Sequence, residues 1–150
     1  MKLGAAVALA LVAGAPVSSQ TGAPPCAPAL AVVRLADGAE LVRAPAARFA
    51  LSYRHSVTLT RVRSDYLIAP GGLRQTAERF ADLGPGMAQV GPAPRREGTD
   101  WVLAMDIAID RLDLRPQPEA ANTLHLPEGE IDLTRWSGQR LELLALPCGD

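Results

Sequence analysis

Alternation of apolar and polar side chains at every second residue constrains this chain more than any other feature. Phe49, Leu51, Tyr53, Val57 and Leu59 fall on odd positions, and Ala50, Ser52, Arg54, Ser56, Thr58 and Thr60 between them are small or polar. Successive side chains of a strand point to opposite faces, so this period predicts a half-buried strand. Near Arg61-Val62 the phase slips: Val62, Tyr66 and Ile68 continue on even positions. A bulge or a tight turn would produce such a slip. A second run, Trp101, Leu103, Met105, Ile107 and Ile109, also ends in a change of phase, to Leu112 and Leu114. Shorter strand-like runs cover 31–35, 40–43, 122–126, 131–133 and 140–146. Turn signals separate them at Asp37-Gly38, Pro70-Gly71-Gly72, Glu97-Gly98, Pro127-Glu128-Gly129 and Ser137-Gly138. Residues 73–83 fit a helix or a strand and are read as a strand. The whole predicts an all-β fold: a single compact β-sandwich or partly open barrel of short, mostly antiparallel strands.

The N-terminus reads differently. Lys2 precedes an apolar run from Leu3 to Ala13, the pattern of a secretory signal. The run is shorter than the roughly 20 residues that span a bilayer. Small residues at Val17 and Ser19 place cleavage after Ser19. The expected organisation is a signal peptide over 1–19, a linker over 20–28 and one β domain over 29–150, exported to the periplasm and soluble there. Cys26 follows Ala23-Pro24-Pro25, and a proline directly before the cysteine argues against lipid attachment. Cys26 and Cys148 are the two cysteines of the chain, one at each end of the mature domain. In an oxidising compartment they are expected to pair; two unpaired thiols are the alternative.

Charge is balanced, 15 basic against 16 acidic residues, with no basic stripe of the kind nucleic acid requires. The two histidines do not form a ligand-spaced pair, so neither a metal nor another cofactor is expected. His55 occupies an apolar-face position of the first run. It is either a satisfied core histidine or the wall of a pocket between the β layers. Ser56 beside it points to the opposite face, so the two cannot form a nucleophile–base pair. A serine–histidine arrangement would need His125, in a Leu-His-Leu run, and no Gly-x-Ser-x-Gly elbow is present. An enzyme is therefore not expected. Arg54, Arg61 and Arg63 cluster near His55; they are either solvated or recruit a carboxylate ligand or an acidic partner surface. The turn Gly84-Pro85-Gly86-Met87 is either a plain tight turn or an anion cradle of backbone N–H groups.

The order Phe49-x-Leu51-x-Tyr53-x-His55-Ser56-Val57, then Arg61-Val62, Gly71-Gly72-Leu73 and Gly84-x-Gly86-Met87, resembles domain-of-unknown-function family 1850. Many members carry an acidic-aromatic stretch such as Glu-x-Trp after His-Ser-Val. Here Arg63-Ser64-Asp65-Tyr66 stands in that region, and Asp65 is the nearest acidic counterpart. The resemblance implies small exported bacterial proteins, often encoded beside TRAP transporters of the TAXI type, which import organic acids. It implies no catalytic residues. The function expected from it is a non-enzymatic periplasmic accessory or binding module of such an uptake system. Its partners would be the permease, the solute-binding protein or a small organic acid. A stand-alone carboxylate-binding protein is the alternative and a hydrolase a more distant one.

Overall fold

The computed structural model describes residues 26–82 and 92–148. The expected signal peptide and most of the linker lie outside them. The strands are β1 (Ala29–Arg34), β2 (Ala39–Pro45), β3 (Arg48–Arg54), β4 (Arg61–Ala69), β5 (Gly72–Phe80), β6 (Arg95–Glu97), β7 (Asp100–Ile109), β8 (Leu112–Leu114), β9 (Thr123–Leu126), β10 (Gly129–Asp132) and β11 (Leu141–Leu146). Two short 3₁₀ turns, Pro118–Ala120 and Leu133–Trp136, connect the later strands. One sheet has the order β2-β1-β11-β8, the other β10-β9-β3-β4-β5-β7-β6, and every pair is antiparallel. The fold is an all-β sandwich.

The phase changes in the sequence each have a structural cause. The slip near Arg61 is a turn: β3 ends at Arg54, and residues 55–60 reverse the chain into β4. Along β4 the buried positions are Val62, Ser64, Tyr66 and Ile68, the even phase the sequence predicts. In β5 a register shift between Gln75 and Ala77 moves the inward phase from Leu73 to Phe80. That bulge makes the segment ambiguous in one dimension. The change after Ile109 marks a crossing between sheets, since β7 belongs to the large sheet and β8 to the small one.

The main core lies between the sheets. Leu30, Val32, Leu141 and Leu143 of the small sheet meet Phe49, Tyr66, Ile68, Leu73 and Leu124 of the large one, and Leu133 joins them from a connecting turn. The Phe49 and Tyr66 rings stack with centroids 5.0 Å apart. A second cluster, Val62, Phe80 and Leu103 with Tyr53, Trp101 and Met105, extends the inner face of the large sheet. The Cys26–Cys148 disulfide joins the ends of the described chain, with Cα atoms 5.7 Å apart. It sits just beyond the β1–β11 pair, where Ala29 faces Leu146.

Candidate functional site: an arginine-walled cleft

The outward face of the large sheet follows from strand register. His125, Ala50, Asp65 and Ala77 lie side by side across β9, β3, β4 and β5. The next row is Thr123, Ser52, Arg63 and Arg79. Alanines stop at Cβ while their neighbours rise above the sheet, so a depression forms over Ala50 and Ala77. The resulting cleft measures about 450 Å³, and Arg48, Arg63, Asp65, Arg79, His125 and Pro127 contribute to its lining. That volume suits a small-molecule site. A second depression shares Arg63, Asp65 and Arg79 with it and continues to Arg61 and Asp100.

Asp65 organises the middle of this surface. One of its carboxylate oxygens accepts from Arg63 Nε at 3.0 Å, and the other accepts from Arg79 Nε at 2.8 Å. Arg79 donates further from Nη1 to Glu97 at 2.9 Å, and Glu97 also receives Arg95. The hydrogen bond to Asp65, then that to Glu97, raises the Arg79 guanidinium above its ordinary value. Arg95, then Arg79, holds the Glu97 carboxyl below its own. Arg63 is thus pinned through Nε, while its two Nη groups have no protein acceptor among the described residues. A guanidinium held in this way presents a ready fork for a carboxylate. Arg48 and Arg61 likewise have no acidic partner among the described residues.

Beneath one wall runs a polar chain that begins buried at Ser52 and ends at the surface, where the Glu130 side chain is 64% exposed. Ser52 Oγ lies 2.8 Å from His125 Nε2, and His125 Nδ1 lies 2.8 Å from Glu130 Oε1. Ser52 is 2% exposed and His125 7%. The order hydroxyl–imidazole–carboxylate is that of a nucleophilic triad. Two observations argue against that chemistry. The serine is sealed from solvent. It also sits in mid-strand with β4 paired on one side and β9 on the other, so the ladder consumes the N–H groups an oxyanion would need. The chain instead fixes the imidazole at the cleft wall and satisfies a hydroxyl that burial would otherwise strand.

The residues singled out in the sequence are distributed unevenly over this surface. Arg61 and Asp65 line the depressions. Arg54, His55 and Ser56 line neither. Arg54 Nε donates to the Glu119 carbonyl at 3.0 Å. His55 is not a strand residue but opens the β3–β4 turn. Its Nδ1 accepts the Val57 and Thr58 N–H groups at 3.2 and 3.3 Å, which is what breaks the strand there. Val57 and Leu59, read as inward-facing, are 65% and 63% exposed for the same reason. Gly84, Gly86 and Met87 lie outside the described residues. Cys26 and Cys148 are bonded to each other. Arg48, Arg79, Ser52 and Glu130 were not anticipated as site residues. The Pro127-Glu128-Gly129 turn did carry a signal, because a hairpin centred there sets Glu130 opposite His125.

Sandwich and cleft together define a small, disulfide-closed, antiparallel β domain with a charged concavity on one sheet face. The chain belongs to the family described as domain of unknown function (DUF1850), whose sequence model matches residues 49–133. That span takes in nearly the whole seven-stranded sheet, including Ser52, Arg63, Asp65, Arg79, His125 and Glu130. No curated protein and no solved structure matches the chain.

Proposed function

We propose that this protein is an exported, non-enzymatic binding module that receives a small organic carboxylate in the cleft over Ala50 and serves an uptake system of the TRAP type in the periplasm. The observation that carries the reading is Arg63, held through Nε by Asp65 while neither Nη group has a protein acceptor among the described residues. Such an arrangement binds a carboxylate at low conformational cost, because the side chain is already ordered. Among the described residues, four arginines against two carboxylates line the two joined depressions, which favours an anionic guest. Export is supported by the disulfide and by the signal-like N-terminus. Among the described residues no helix is long and apolar enough to cross a membrane. The transport role is supported by the genetic surroundings that the family resemblance implies.

Calorimetry of the full chain against a panel of aliphatic carboxylates tests the binding half. Binding is expected in wild type and a loss of about tenfold or more in Arg63→Ala, the range for a charge-assisted pair. A flat response across the panel sinks it. The transport half predicts co-purification with the permease or its solute-binding protein, and slower growth on organic acids after deletion. Failure of both would remove that role.

A further inference from the structure

The two ends of the cleft are chemically alike, and its middle is not. Arg63 stands in the row of Ser52, opposite it on β4. Arg48 stands on β3 two rows away, on the same face, and has no acidic partner among the described residues. Four residues of strand and one inter-strand step separate their Cα atoms by roughly 14 Å. Both residues line the same cleft, whose lining between and beside them includes Ala50, Ala77, Leu126 and Pro127. Asp65, the one carboxylate among the described residues that line this cleft, is occupied by Arg63 and Arg79. His125 lies between the two rows on the β9 side, held by Ser52 and Glu130, so both ring nitrogens are already engaged.

From this layout, and resting on the carboxylate-binding reading above, we infer that the ligand is a short α,ω-dicarboxylate: one carboxylate on the Arg63 fork, the other on Arg48, and the methylene linker over the alanines. A monocarboxylate satisfies one end and leaves the other guanidinium to water. A dicarboxylate of matching length satisfies both and covers the apolar floor. Arg48 is then the residue that selects for the second charge, and Arg63 the residue any carboxylate needs.

Titration calorimetry at low ionic strength compares pentanoate, glutarate and oxalate on the full chain. Glutarate is expected to bind about tenfold or more tightly than pentanoate, the effect of one further charge-assisted contact. Oxalate has the charge of glutarate but no linker, and is expected to bind no better than pentanoate. In Arg48→Ala, glutarate falls to the pentanoate level while pentanoate changes less than about twofold, since its single contact is elsewhere. Arg63→Ala weakens both. Equal binding of glutarate and pentanoate overturns the two-ended ligand and leaves the carboxylate reading intact. So does equal binding of oxalate and glutarate, or an Arg48→Ala loss shared equally by pentanoate. Absence of heat with all three acids removes the carboxylate reading itself.

Discussion

Ser52 illustrates what a single position can conceal. In the sequence it is one small polar residue among several on the outward phase of β3. In the fold its hydroxyl meets an imidazole 73 residues away, at 2.8 Å. Nothing local predicts that contact, because it depends on β9 lying beside β3. The His125–Glu130 half was legible, since a turn signal between the two positions implies a hairpin and its cross-strand pairs. Glu78 gives a sharper lesson on the inner face. It is part-buried near Tyr53 and Tyr66, and has no ion-pair partner among the described residues. Burial pushes its carboxyl above the ordinary value. A carboxyl raised in the folded state destabilises the fold while ionised, and that penalty is relieved as pH falls through the folded value toward the unfolded one. Glu78→Gln is therefore expected to raise the melting temperature at pH 7, and the gain should vanish below about pH 4. Thermal melts at both pH values decide it; identical melts at pH 7 would show that the charge is not penalised.

At the scale of an element, the β3–β4 hairpin is the clearest departure from the one-dimensional pattern. Alternation continues in the letters through Leu59, yet the strand stops at Arg54. The imidazole of His55 captures two backbone N–H groups, and the Leu59 N–H returns to the His55 carbonyl at 2.9 Å. Side-chain capture of nearby backbone groups competes with the ladder, and here it prevails. The turn closes with Leu59 at φ 57°, a left-handed conformation that a Cβ disfavours. Because Leu59 is also exposed, Leu59→Gly removes that strain at little loss of packing. A gain of about 0.5–1 kcal/mol is expected in urea unfolding, after glycine's greater unfolded-state freedom is set against the relief. A loss of stability would mean that the leucine side chain contributes packing in the folded protein. The β5 bulge acts on the same scale: one extra residue turns Arg79 outward to Asp65 while Phe80 enters the core.

For the whole molecule, the disulfide and the two-sheet topology belong together. β1 and β11, the first and last strands of the described residues, are neighbours in the small sheet, so the two ends of the described β domain already meet where Cys26 and Cys148 bond. A cross-link over 122 residues restricts the unfolded chain and is expected to contribute about 4–5 kcal/mol by loop-closure entropy. Reduction should lower the urea midpoint accordingly without changing the native β spectrum. An unchanged midpoint would mean that the bond adds nothing to the pairing of β1 with β11.

The sequence by itself determined most of the strands, the positions of most reversals and the only disulfide two cysteines allow. Each of these rests on local periodicity, turn chemistry or elimination. It also carried the family likeness through His55-Ser56-Val57 and its surroundings. Tertiary structure alone decided which strands are neighbours, and therefore which outward-facing side chains share a surface. Arg48, Arg63, Asp65, Arg79 and His125 come from four strands, and only the order β9-β3-β4-β5 sets them around one cleft. A period of two says which face a residue occupies, whereas the neighbour across the sheet is chosen by the packing of the whole core.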